Sequence, residues 1–280
     1  MAASRIGIVT DSTSDIPDDE ARELDIQVVP AVLVIGEETL QDGREISRSD
    51  FYRRMPEFPQ PATTGSPSPA VFGEKYQSFF DQGVERILSI HVAASLSGML
   101  NSAAQAAKDF GDRVQLYDSG QVSMGLGLLA IEAAIAARAG ASLEEVTHRI
   151  RAARERVHLV ALIRTLEYLR RSGRVSWLQA GVGDLLRIKM LLTVRDGLVE
   201  AVGRARTWSR GLSELTDLAH SWSPFQRLAV LHSGIPDEAA ELAKQMRPLC
   251  ENEPAIVQVT TVIGAHVGPG SLGLAGLQRG

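Results

Sequence analysis

Hydroxyl-bearing residues gather in four short polar segments: DSTSD from Asp11, TTGSPSP from Thr63, ASLSG from Ala94 and DSG from Asp118. Serine and threonine hydroxyls beside unpaired backbone N–H groups are the chemistry of an anion site, since each donates a hydrogen bond without bringing a countercharge. Taken singly, Ser14, Ser68 and Ser97 read first as helix N-caps, a position that favours these residue types. It is their clustering that points to a ligand. Asp11 and Asp15 have two readings: holding a magnesium ion beside a phosphate, or, better matched to their spacing, capping a loop and the helix that starts at Pro17. His266 stands in GAHVGPGSLG, a glycine-dense turn where backbone can approach a ligand and an imidazole can face a carboxylate. A plain turn histidine fits the local sequence as well. Between Arg149 and Arg174 stand eight arginines against two acids. Such a run is usually a solvated helix face, and Arg170, Arg171 and Arg174 fall where a helix end would welcome positive charge.

Other chemistries fail on context. Gly125, Gly127 and Ala130 fit a dinucleotide fingerprint but lie past the preceding strand, and Gly268, Gly270 and Gly273 fit one with only seven residues of chain after it. Ser97 is not in G-x-S-x-G, and the six histidines show no H-E-x-x-H pairing, so no metal site and no cofactor is expected.

The elements that must position these residues follow from periodicity. Strand-like runs at Arg5–Val9, Ile26–Ile35, Val84–Ile90 and Val114–Tyr117 alternate with helical patterns, the signature of a Rossmann-like parallel-sheet domain. Pro17 with Asp18, Asp19 and Glu20 starts one helix; Gly140 ends another, and Ser142 with Glu145 forms a capping box for the next. The stretch from Pro56 to Pro69 reads as a long loop. The second half predicts strands at His158–Ile163, between Ile188 and Arg206, at Leu228–Leu231 and at Ile256–Thr261, with helices near Leu212–Ser221 and Pro236–Arg247. Asp196-Gly197 is a two-residue hairpin signal, so this half is expected to be an α/β domain with a mixed or antiparallel sheet. The domains are expected at 1–157 and 158–280.

The 280 residues carry a net charge of -5 and 22% charged side chains, which disfavours a nucleic-acid binder. A single cysteine, Cys250, suits a reducing, cytoplasmic compartment. MAASRIGIVTD is unlike a secretion signal, and Leu126 to Ala139 is too short and too charged for a membrane span.

IVTDSTSDIP, SPSP, LSG followed by NSA, DS then SMG, TLEYLRRSGRVS and HVGPG, in that order over nearly the whole chain, resemble the DegV family of bacterial fatty-acid-binding proteins. The resemblance implies a Rossmann-like domain and a C-terminal α/β sandwich holding an acyl chain between them. By the family pattern the carboxylate of a long-chain fatty acid would meet Thr64, with Thr63 as its rival, and Ser97 with Gly98, near His266. Arg206 would join the polar network, and Arg170, Arg171 and Arg174 would face a partner. That partner would be a separate ATP-dependent fatty-acid kinase feeding phospholipid synthesis, with transient membrane-surface contact left open. The sequence departs from the family at Gly65, Ser66, Met99 and Leu100, close to the expected head group. Two alternatives stand beside this reading: a self-sufficient phosphoryl-transfer or acyl-processing enzyme, and a lipid storage or sensing protein without a kinase.

Overall fold

A computed structural model describes residues 5–178 and 188–280. In chain order the first half runs β1 (Ile6–Asp11), α1 (Asp18–Glu23), β2 (Ile26–Val29), β3 (Val32–Ile35), β4 (Glu38–Gln41), α2 (Arg48–Arg54) and β5 (Thr63–Gly65). It continues through α3 (Pro69–Asp81), β6 (Arg86–His91), α4 (Met99–Ala107), β7 (Val114–Asp118), α5 (Met124–Arg138) and α6 (Leu143–Arg154). The second half is β8 (Val157–Ile163), α7 (Glu167–Ser172), β9 (Lys189–Arg195), β10 (Leu198–Ala205), α8 (Trp208–Trp222) and β11 (Phe225–His232). It closes with α9 (Pro236–Met246), β12 (Ala255–Gln258), α10 (Thr261–Val267) and β13 (Leu272–Gln278).

Among the described residues the strands form three sheets. One is parallel, in the order β2-β1-β6-β7. The largest is mixed, in the order β10-β9-β8-β13-β11-β12, with only β11 and β12 parallel. The third is antiparallel, β4-β3-β5. This is the expected two-part α/β architecture. The capping box at Ser142 and Glu145 opens α6, and the β9–β10 hairpin turns on Asp196 and Gly197, both at positive φ (49° and 77°).

Between the parallel and mixed sheets lies α5, which packs on β1 on one side and on β8 and β13 on the other. Its sequence, MGLGLLAIEAAIAAR, is apolar all round, which is what a helix covered on every side requires. The one buried acid in it, Glu132, is paired with Arg149 of α6 at 2.9 Å. Gly127 explains the first glycine pattern: a Cβ there would stand 2.5 Å from the Ser14 carbonyl oxygen, so it serves close packing. In the second pattern Gly268 and Gly270 sit at φ 74° and 80° in a turn, and Gly273 lies against the Val160 carbonyl.

Four expectations need correction. The run from Ile26 to Ile35 is two strands in different sheets, because Pro30 has no N–H to continue a ladder. The stretch from Pro56 to Pro69 contains strand β5, paired with β3 through Leu33 and Thr64. The strand expected at Ile256–Thr261 ends at Gln258, and Thr261 begins α10. His266 therefore sits in the last turn of a helix, and the glycine-rich turn follows it.

Candidate functional site

The loops at the carboxyl edge of the parallel sheet face the inner surface of the mixed sheet across a cavity of about 390 Å³. Thr13 comes from the loop after β1, Val92, Leu96, Ser97 and Gly98 from the loop after β6, and Val122 and Ser123 from the loop after β7. Carboxyl-end loops are where open α/β sheets bind ligands, because strand ends and helix starts leave backbone groups unpaired there. The opposite wall is aliphatic: Leu159, Ala161 and Ile163 of β8, Leu192 and Val194 of β9, and Val199 of β10. Val262, Ile263 and Val267 of α10 complete it.

Thr13, Ser123, Thr193, His232, Ser233 and Ser271 also line the cavity, and a further set of polar residues is linked by direct contacts. The Thr64 hydroxyl lies 3.0 Å from His266 Nε2, joining β5 to α10. Ser66 backs onto Gly98, where a Cβ would meet its Oγ at 3.1 Å. Ser97 Oγ accepts from the Met99 N–H at 3.4 Å, a long contact that leaves its own hydrogen free to donate. Ser97, Gly98 and Arg174 line both this cavity and an open groove outside it, so they mark the cavity's mouth.

Burial, with the nearby Arg174 charge second, lowers His266 to about 4, so the imidazole is neutral at physiological pH. Its Nδ1 is buried and meets no hydrogen-bond partner among the described residues. In the tautomer with hydrogen on Nε2, the ring donates to Thr64 and the threonine hydrogen is free for a ligand oxygen. The group as a whole offers donors to an anion with one cation, Arg174, nearby; no lysine lines the cavity among the described residues.

Beneath this surface lies a sealed polar chain. Asp11 Oδ2 meets His91 Nδ1 at 2.9 Å, His91 Nε2 meets Ser89 Oγ at 2.7 Å, and Ser89 Oγ meets Tyr76 OH at 2.8 Å. The order Asp–His–Ser has the geometry of a hydrolytic triad. Asp11, His91, Ser89 and Tyr76 are all fully buried, however, and none lines the cavity. No substrate can reach the serine, and the chain instead fixes the cavity loops: Asp11 accepts from the Thr13 N–H, the Thr13 hydroxyl and the Val92 N–H. That satisfies four buried donors with one carboxylate.

The structure thus brings Thr64, Ser97, Gly98 and His266 together and separates others from them. Thr63 precedes Thr64 on the same strand, so its side chain takes the opposite, exposed face, and it does not line the cavity. Arg206 is exposed beyond the end of β10 and does not line the cavity either. The three arginines divide. Arg170 and Arg171 lie in the last turn of α7, where Arg171 pairs with Glu167, whereas Arg174 follows the left-handed Gly173 and turns to the cavity mouth. Ser66 and Ser123 lay within flagged motifs, TTGSPSP and SMG, but the motif reading did not place either in the wall of a site. Ser66 follows β5, the strand that the sequence hid, and Ser123 stands at the N-cap of α5 after β7.

Known proteins resemble this chain over nearly its whole length. A DegV domain-containing protein of Streptomyces coelicolor is 34% identical over 274 residues, covering 96% of this chain and 97% of its own. The solved structure of a DegV family protein from Thermus thermophilus, described as fatty-acid binding, superposes with a TM-score of 0.90 at 32% identity, over 98% of this chain and 100% of that one. DegV of Bacillus subtilis, described as a fatty acid binding protein, gives a TM-score of 0.88 at 27% identity, over 99% and 100%. The model of the DegV family of uncharacterised proteins matches residues 5–279. By sequence, architecture and the loops that build its cavity, this chain belongs to the DegV family.

Proposed function

We propose that this protein binds a long-chain fatty acid, with the acyl chain in the cavity between the two sheets and the carboxylate at its mouth. The observation that carries the reading is a largely aliphatic cavity between the sheets in which Thr64, bonded to His266, and Ser97, which also lines the groove outside, offer hydrogen bonds to a head group. The solved relatives described as fatty-acid binding support it. Burying roughly 15 methylenes at about 0.8 kcal/mol each supplies on the order of 12 kcal/mol before ordering costs. The tail therefore gives affinity and the hydroxyls give orientation. Native mass spectrometry of the purified protein tests this: a co-purified fatty acid is expected, and a bound nucleotide in its place favours a self-sufficient phosphoryl-transfer enzyme.

The finer part of the proposal is that the bound acid is presented to a separate ATP-dependent fatty-acid kinase. Holding the carboxylate by hydroxyls leaves one oxygen open at the mouth for phosphoryl transfer, and the groove outside it gives a partner access. A kinase that phosphorylates the free acid equally well without this protein would remove the presenting role and leave storage or sensing.

A further inference from the structure

Asp15 is a fully buried carboxylate that the binding site described above does not use. It closes the loop after β1 in a left-handed conformation (φ 56°) and joins three segments of chain. The Thr260 N–H donates to its Oδ1 at 2.7 Å and the Ser123 hydroxyl donates to its Oδ2 at 2.5 Å. Thr260 is the N-cap residue just before α10, and Ser123 belongs to the cavity wall. Further along α10, Val262, Ile263 and Val267 line the cavity, and His266 meets Thr64. The β1–α1 loop thus grips the helix that carries the head-group histidine.

We propose that Asp15 is a positioning residue for the ligand: its ionised carboxylate holds the start of α10 in place, and protonating it loosens the wall that carries His266 and weakens binding. The proposal rests on the fatty-acid reading above.

A charged acceptor holds an N–H more strongly than a neutral one, so the grip depends on the ionisation of this side chain. Burial, partly offset by the Arg48 charge and by the bonds from Ser123 and Thr260, raises Asp15 to about 6. The charged and titratable groups that face it are Arg48 and Tyr52 on α2, and Asp42 in the loop after β4. Arg48 donates to the Gln258 carbonyl at 2.5 Å, Tyr52 OH to the Val259 carbonyl at 3.1 Å, and Asp42 accepts from the Thr261 N–H at 3.1 Å. From α5 and α10 the groups that face it are Ser123 and Thr260, which do not titrate. Asp15 therefore changes charge just below neutrality, and the bonds it weakens on protonation are those from Thr260, at the start of α10, and from Ser123.

The test is the affinity for hexadecanoate of wild type and Asp15→Asn between about pH 7.5 and 5. Wild type is expected to weaken by roughly five- to tenfold with a midpoint near pH 6, the difference between a charged and a neutral acceptor. Asp15→Asn should already bind weakly at pH 7.5 and change little below it. Equal pH profiles, or tighter wild-type binding on acidification, overturn the proposal. Amide exchange in ligand-free wild type supplies a reading that needs neither the variant nor the ligand. Protection at Thr260, normalised for intrinsic exchange, should fall through the same pH range while Thr261, which Asp15 does not hold, keeps its protection. Parallel behaviour of the two amides also overturns the latch. A Thr260 response without hexadecanoate binding at any pH would instead uphold the latch and sink the fatty-acid reading.

Discussion

At the scale of single residues, the head-group assignment reduces to two hydroxyls and one neutral imidazole. Thr64→Ala and Ser97→Ala should each weaken fatty-acid binding by about 1.5–3 kcal/mol, the range for hydrogen bonds to a charged group. Calorimetry decides: two single variants with unchanged affinity would move the carboxylate elsewhere. His266 makes a second prediction through linkage. Its folded-state pKa is about 4 against an ordinary 6.5, so the unfolded chain binds the proton more readily. Stability from this group is present above 6.5 and is lost as pH falls toward 4. The depression amounts to about 3 kcal/mol. His266→Asn should therefore flatten the acid limb of the ligand-free stability curve over that interval, measured by denaturant unfolding. An unchanged limb would show that the ring is not held neutral by its surroundings. The types of these residues were legible in the sequence, since hydroxyls near strand ends already suggested an anion. Which of Thr63 and Thr64 faces inward was not, because alternation decides it only once β5 is known to be a strand.

Among elements, β13 and α10 were concealed in the sequence, each for its own reason. β13 reads LGLAGLQ, with small residues where a strand normally shows branched ones. It lies between β8 and β11, and a Cβ on Gly276 would meet the Phe225 ring at 2.5 Å. Close packing on the faces of a central strand erased its pattern. α10 is seven residues long and opens TVI, too short for helical periodicity to outweigh a β-branched start. The β9–β10 hairpin, by contrast, was announced by Asp196-Gly197, and it predicts its own weak point. Gly197 donates to the Gly120 carbonyl at 2.9 Å, and its carbonyl accepts from Ser95 Oγ at 2.6 Å, tying the hairpin tip to the loops of the cavity. An alanine there combines positive φ with a Cβ 2.5 Å from Ser95 Oγ. Gly197→Ala should cost about 1–3 kcal/mol in chemical denaturation; a loss within about 0.5 kcal/mol would mean the tip is not held. The arginine segment also needs dividing at this scale. Arg174 lines the cavity mouth, so Arg174→Ala should weaken fatty-acid binding. Reversing Arg170 and Arg171 to Glu should slow kinase association, most at low salt where the Debye length is long, and spare fatty-acid affinity. Loss of fatty-acid affinity from the α7 pair would return both arginines to a structural role.

For the molecule as a whole, the mixed sheet presents one face to α8 and α9 and the other to α5 and to a space that its own side chains do not fill. Ala161 shows this: it lies on β8 in the interior of that sheet, paired with Gly273 and Leu192, yet it is only half-buried because its methyl group faces the cavity. A protein folded around such a space gains stability from whatever fills it, by about 2.7 kcal/mol when free ligand stands at a hundred times Kd. At 280 residues that corresponds to a rise of about 5 °C in Tm. Ala161→Phe should act as a built-in occupant. The ring points away from the sheet into apolar surroundings, Leu159, Ile163 and Leu192 among them, and adds buried area without stranding a polar group. The ligand-free variant should melt no lower than wild type, and added fatty acid should no longer raise its Tm. If the variant keeps the full ligand-induced rise, the acyl chain does not run along β8, and the binding path must lie elsewhere between the two sheets.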